Sequence, residues 1–460
     1  MKNSFIQNAG KACLLFFLIF MVVALTLRFH WLGLGSLFIV SMLTLIPTYR
    51  RWGYWLFFSL MLFSNLSISI LSPLLPDRFS MNILFGLDFF FAGLLLWWNF
   101  QQAHCRLPLS SPWTSVVFYL LLCLTLLFYS KGILFNGFSH ATIYLRMLIY
   151  PFMLYLLGRY ASTYLSAEKV KQWFITIGLL FGLLLLIEIL APLSYYSFLN
   201  VNHYVATKKE LSALSVTDLL TKHTVRFFNS NWFKYFKVLR PLGAFMHPIS
   251  TAYFFVLNLM LCLSYESLIM GGFFVIMIFL CGSKGAMASA VALIFFYFIK
   301  RKKPIKAYWV ILTGLGYVIC SYFIGLKSDN SHFYSLTASV LSLPGNLLGQ
   351  GFGYGGSVTT GVKRTLDFVT INGDSGLAVL LNMTGIFTPF FYLGYMVVLY
   401  DLWKKDHLLT STKVPYLIFF VFLLANSIFQ EEGFSPYGMG LLMFLSGLEG
   451  GSPPQLNDKP

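Results

Sequence analysis

The stretch WFITIGLLFGLLLLIEIL, Trp173 to Leu190, runs for eighteen residues with one ionisable side chain, Glu188. As a helix it rises about 27 Å at 1.5 Å per residue, close to the hydrocarbon thickness of a bilayer, roughly 30 Å. Hydrocarbon offers no partner to a backbone amide, so a run of this kind crosses as a helix whose hydrogen bonds are internal. Comparable runs recur from end to end of the chain. Of its 460 residues, 58% are hydrophobic and 10% are charged, where soluble domains carry roughly 45–50% and 25%. The sequence therefore reads as an all-α fold, a polytopic membrane helix bundle.

Topology follows from the connections. Candidate spans begin near positions 11, 31, 53, 81, 113, 141 and 173. Every second connection is basic: Arg50 and Arg51, then Arg106, then Arg159, Lys169 and Lys171. Because basic residues in short loops stay on the cytoplasmic side, the N-terminus is expected inside. The N-terminal apolar run has basic flanks and no small-residue cleavage site, and reads as a retained first span. From the other end, KRKKPIK (Lys300–Lys306) and KKDHLLTSTK (Lys404–Lys413) are strong inside signals. Residues 193–248 carry seven basic side chains, but long loops translocate largely regardless of charge. The expected division is 1–192, an N-terminal bundle of seven spans; 193–248, a first large outer loop; 249–325, spans with a short hairpin turning at CGSKGAM; 326–374, a second large outer loop; and 375–460, C-terminal spans with a cytoplasmic tail. The total is about 14 transmembrane helices, within a range of roughly 12–14, with both termini inside and short helices in the outer loops.

The net charge of +16 would suggest nucleic acid in a soluble protein. Here the basic residues lie between spans, where headgroups and topology account for them, so no nucleic-acid partner is expected. Five of the six cysteines fall in apolar runs and Cys105 in a short connection, so no disulfide framework is implied. No cysteine pair has metal-site spacing, and no Walker A loop, HExxH or Ser-His-Asp order occurs. GFGYGG (Gly351–Gly356) matches GxGxxG in form but follows no strand of a βαβ unit. Its glycines are expected to make a tight turn. No cofactor and no metal are expected.

Ionisable residues within spans mark function or a pairing partner. Asp88, Arg146, Glu188 and Lys284 all fall in the outer half on this topology, at depths of roughly 7–10 Å. Together they imply a polar site opening to the outside, whereas a proton-coupled transporter would place such groups at the midplane. NWFKYFKVL (Asn231–Leu239) alternates aromatics with Lys234 and Lys237, the pattern of an amphipathic helix on the outer surface.

Three segments carry a family resemblance. RPLGAFMHPISTAYFF, from Arg240, resembles the Arg-x-x-Gly-x-Phe-x-x-Pro segment of the O-antigen polymerase and O-antigen ligase superfamily. LCGSKGAMASAVAL resembles that group's Gly-Ser-Arg-Gly segment, with Lys284 in place of arginine. LLGQGFGYGG, followed by NGDSGLAVLLNMTGIFTPFFYLGYM, is similar to its glycine turn and subsequent span. The likeness covers roughly residues 240–400, in family order.

The resemblance implies a GT-C-like membrane glycosyltransferase in the bacterial cytoplasmic (inner) membrane, working on its periplasmic face without metal. Its donor would be a glycan on undecaprenyl diphosphate, inverted on transfer to a lipid-linked acceptor. Arginine suits a diphosphate through its paired donors. Arg240 and Lys284 are the leading diphosphate ligands, with Arg146, Arg226 and Arg364 behind them. Asp374 is the candidate general base, with His247 and Asp367 as alternatives. Ligases of the group carry a histidine where this chain has Asp374-Ser375, which favours a repeat-unit polymerase. The rival readings are an O-antigen ligase acting on lipid A–core and a lipid-linked oligosaccharide flippase or transporter. Implied partners are the undecaprenyl-diphosphate-linked donor and acceptor, membrane lipids, a flippase and a chain-length regulator.

Overall fold

The computed structural model describes residues 50–74, 78–103, 108–109, 112–209, 215–226, 237–302, 307–327, 331–355, 375–404 and 413–451. The expected first spans, Arg364, Asp367 and Asp374 lie outside these residues.

The described chain is a succession of helices. They are α1 (Arg50–Leu71), α2 (Arg78–Gln102), α3 (Pro112–Asn136), α4 (Phe138–Ala161), α5 (Ala167–Leu190), α6 (Pro192–Phe198), α7 (Val201–Lys209) and α8 (Val216–His223). A short antiparallel pair follows, β1 (Thr224–Arg226) and β2 (Lys237–Leu239). Then come α9 (Pro248–Ser264), α10 (Leu268–Leu280), α11 (Lys284–Lys302), α12 (Ala307–Lys327), α13 (Ser331–Ser342), α14 (Gly376–Thr384), α15 (Thr388–Lys404), α16 (Lys413–Phe429) and α17 (Leu441–Gly450). Among the described residues, seven stretches are long and apolar enough to cross a membrane, and α9, α10 and α16 are shorter apolar helices. The protein is a multi-pass helical membrane protein.

Breaks between helices fall where the backbone turns left-handed. Gly137 (φ 89°) parts α3 from α4, Gly282 (φ 62°) parts α10 from α11, and Gly385 (φ 58°) lies between α14 and α15. One local expectation is corrected. The amphipathic helix predicted over Asn231–Leu239 does not extend through its last three residues, which form β2. Val238 stands opposite Val225 in the pair, and β-branched residues fit a pleated surface better than a helix. That partner lies in β1, outside the stretch on which the helix was read.

The chain divides into two compact units, Met1–Cys105 with Ala161–Met287, and Arg106–Tyr160 with Ala288–Pro460. In the first, aromatic rings tie three helices together. Trp55 of α1 meets Trp173 of α5 edge to face at 5.3 Å, and Phe63 meets Phe181 at 5.3 Å. Phe181 in turn lies 5.6 Å from Phe254 of α9. Helix α9 is apolar around its circumference and is buried from Ser250 to Leu263, as a helix without a polar face must be. Gly178 of α5 gives it room, because a Cβ there would strike the Asn258 amide.

The second unit is knitted by close backbone approach. A Cβ on Gly158 of α4 would overlap the Phe444 carbonyl of α17, and one on Gly447 would overlap the Tyr155 carbonyl. Small residues allow such contact where lipid supplies no hydrophobic drive between helices. Arg159 closes one end of this pair, donating to the carbonyls of Pro108 and Gly450. A positive charge at the C-terminus of α17 also complements the helix dipole. Between α12, α16 and α11, Tyr317 donates to Asn426 at 2.7 Å, and Asn426 donates to Ser289 at 3.1 Å.

Gly158→Leu should therefore lower stability by about 1–3 kcal/mol or more through overpacking. Gly86→Leu, where nothing lies within 4 Å of an added Cβ, should unfold like the parent. Thermal unfolding of the two variants in detergent checks the contrast.

Candidate functional site

The site in the first unit is built on the segment that leads into α9. Pro248 is the first helical residue and His247 the cap, with an extended backbone at φ −154°. Proline suits that position because its missing N–H would go unused there. The His247 ring serves the cap: Nδ1 accepts the Ser250 amide at 3.4 Å and lies 3.2 Å from the Ser250 hydroxyl.

Before the cap the chain makes a buried turn, with Met246 N–H donating to the Gly243 carbonyl and His247 N–H to the Leu242 carbonyl, both at 3.0 Å. Gly243 has φ 66°, and a Cβ there would collide with the Thr251 side chain. Thr251 uses its hydroxyl to bond the Leu242 carbonyl at 2.9 Å. Met246 also adopts a left-handed φ, 51°, which is uncommon for a non-glycine residue and has to be held by its surroundings. Phe245 supplies part of that hold, packing 5.5 Å from Phe181 and 5.3 Å from Phe254.

Glu188 supplies the rest. Its Oε1 accepts the Leu242 amide at 2.6 Å and the Tyr196 hydroxyl at 2.9 Å, and its Oε2 accepts the Gly243 amide at 2.8 Å. The side chain is wholly buried. Burial, and then the adjacent Glu188, push the Tyr196 phenol above its ordinary range, so it stays a donor. The sequence grouped Glu188 with charges that mark a function or a pairing partner, and both of its oxygens are engaged by the chain. Its partners lie 54 and 55 residues away, which no local pattern reveals.

Arg240 stands at the start of this braced turn. Its Nε donates to the Cys281 carbonyl at 3.3 Å, at the C-terminus of α10, where the dipole favours a cation. Three residues later Lys284 opens α11 and is exposed. Between them Ser283 is buried, and its hydroxyl makes no hydrogen bond among the described residues. The structure thus brings the Arg240 segment onto the turn that carries Lys284. Two cations, a buried hydroxyl and the N-terminus of a nineteen-residue helix form an arrangement suited to an oxyanion.

The other predicted residues fall elsewhere. Arg226 lies in β1 with its Cα paired to Lys237. Asp88 is buried in α2 and its carboxylate accepts the Phe89 amide. Arg146 belongs to the second unit, its guanidinium carbon 5.6 Å from the centre of the Tyr150 ring.

That second unit also holds polar residues the sequence reading passed over. Glu431, in a short 3-10 turn after α16, is buried and accepts the Tyr144 hydroxyl at 3.1 Å. Lys131 of α3 donates to the Gly349 carbonyl at 2.6 Å. Neither was singled out because each sits near the end of an apolar run, where a charge reads as a boundary. Among the described residues, no group of three or more His, Cys, Asp or Glu side chains could hold a metal ion. Comparison with known protein families, curated proteins and solved structures returns no match.

Glu188→Leu would leave the buried Leu242 and Gly243 amides without an acceptor, at about 1–3 kcal/mol each. Tyr196→Phe removes one donor and should cost about 1 kcal/mol. Glu188→Gln, which keeps one acceptor oxygen, should fall between them. Thermal unfolding of the purified variants gives the order.

Proposed function

We propose that this chain is a polysaccharide repeat-unit polymerase of the O-antigen type, an inverting glycosyltransferase. It would transfer a growing glycan from undecaprenyl diphosphate to a sugar hydroxyl of the next lipid-linked unit. The observation that carries this reading is the hydrogen bond from Arg240 to the Cys281 carbonyl. Two segments that resemble the superfamily, RPLGAFMHPIS and CGSKGAM, meet through it, each contributing a cation. The buried Ser283 hydroxyl and the helix terminus beside them add donors suited to phosphate oxygens.

On this reading the acceptor hydroxyl attacks the anomeric carbon of the donor. A new C–O bond forms with inversion as the bond to the diphosphate oxygen breaks, and the leaving group takes the electron pair. Arg240 and Lys284 stabilise the charge that develops there, with Arg146, Arg226 and Arg364 as further candidates. Asp374 receives the hydroxyl proton as general base, and Asp367 is the alternative. His247 fits that role less well, since its Nδ1 already accepts the Ser250 amide. No metal or cofactor is assigned a part.

The finer architecture belongs to the same proposal. It comprises about 14 spans, a GT-C-like class, cytoplasmic termini and two large outer loops. The site opens to the periplasm from the inner membrane, where the partners are the lipid-linked donor and acceptor, a flippase and a chain-length regulator.

Arg240→Ala should reduce chain growth by roughly a hundredfold, leaving single repeat units at the cell surface while export continues. Normal long chains in that variant would refute the assignment. A cysteine at Ser215 should be labelled by an impermeant reagent from the periplasmic side; labelling only from the cytoplasm would reverse the topology.

A further inference from the structure

The glycine turn in the second unit is more than a tight reversal. Gly349, Gly351, Gly353 and Gly355 all have positive φ, at 60°, 85°, 91° and 76°. Left-handed residues at every second position fold the chain tightly, and backbone of alternating handedness can turn N–H groups toward an anion. The carbonyls of this turn face α3. Lys131 donates to those of Leu348 and Gly349, and Asn136 to those of Gln350, Gly351 and Phe352.

The amides are accounted for as far as Phe352. Gln350, Gly351 and Phe352 donate to the carbonyls of Asn382, Met383 and Phe128, at 2.9, 2.9 and 3.0 Å. Beyond that point, no hydrogen bond among the described residues uses the N–H groups of Gly353 or Gly355. Near Gly355 lies a second such donor. Asn382 of α14 is 3% exposed, and its Nδ2 makes no hydrogen bond among the described residues. That nitrogen lies 3.1 Å from where a Cβ on Gly355 would stand, so the amide points at the turn. A Cβ on Gly353 would lie 2.9 Å from the His140 Cβ. Buried donors without acceptors are costly, at about 1–3 kcal/mol each. The described polar side chains against this turn, Lys131, Asn136, His140, Asn346 and Asn382, are cationic, amide or imidazole, with no carboxylate.

We propose that the Gly349–Gly355 turn, closed by the Asn382 amide, is an oxyanion cradle for the diphosphate of a second lipid-linked substrate. It rests on the polymerase reading in one respect: that reaction handles two lipid diphosphates, and the Arg240–Lys284 arrangement accounts for one. The cradle supplies what the other needs, which is N–H donors that no described acceptor takes. What it would bind is the headgroup of that lipid.

Calorimetric titration of the full-length protein in phosphatidylcholine nanodiscs with inorganic pyrophosphate tests the cradle. The parent should show two classes of site. Asn382→Asp and Asn382→Leu should each weaken one class by roughly tenfold or more and spare the class that Arg240→Ala removes. Gly355→Ala, which pushes a methyl against Nδ2 without touching α14, guards against misfolding of the Asn382 variants. Undecaprenyl diphosphate in the nanodisc should compete at the Asn382-dependent class; failure to compete would overturn the lipid assignment. Unchanged pyrophosphate binding in all three variants, at the parent's unfolding temperature, would overturn the cradle itself. Chain growth by the parent, read in parallel, separates the two ideas. Asn382-dependent binding without chain growth sinks the polymerase reading alone, and chain growth without such binding sinks the cradle alone.

Discussion

The Glu188 carboxylate reaches from α5 to the backbone of the turn before α9 and accepts the amides of Leu242 and Gly243. Buried within the protein, these amides cannot fall back on water, so the acceptor has to come from the chain. Once it is in place, Gly243 can turn left-handed, Met246 can follow, and His247 is set to cap α9. Arg240, at the start of the turn, is then delivered to the C-terminus of α10. A buried carboxylate thus helps settle where a cation stands.

The same constraint shapes the second unit. Its helix breaks are also the places where side chains must answer for exposed backbone. The two N–H groups of the Asn136 amide are shared among three consecutive carbonyls of the glycine turn, and Arg159 satisfies two at the opposite end of α4. Ser375 caps α14 and donates to the Ile428 carbonyl at 2.6 Å. Rigid, fully bonded turns of this kind can present a few unused donors precisely enough to select a ligand. Ser283 and Asn382 each hold a buried donor with no hydrogen bond among the described residues, and the two proposed anion sites draw on them.

Much of this was legible in the sequence, for identifiable reasons. Apolar run length gives the spans, because lipid imposes internal hydrogen bonding on whatever crosses it. Pro248 after His247 marks a helix start, and the glycines of LLGQGFGYGG mark left-handed turns, since both features are local. Partners distant in sequence were not legible. Glu188 was recognisable as a charge in need of company, but its company proved to be backbone, which has no signature of its own. Lys131 and Asn136 meet the glycine turn across more than 210 residues. β2 was read as the end of a helix because aromatics alternate with Lys234 and Lys237 before it, and Val225 opposite Val238 was out of view.

The central claim concerns a reaction, and the most direct measurement follows its product. The purified protein is reconstituted in liposomes, given lipid-linked repeat units without metal or nucleotide, and the glycans are sized over time. The account predicts a ladder rising one repeat unit at a time, with one undecaprenyl diphosphate released per addition. Units that stay single while crossing from one leaflet to the other would contradict it and identify a transporter.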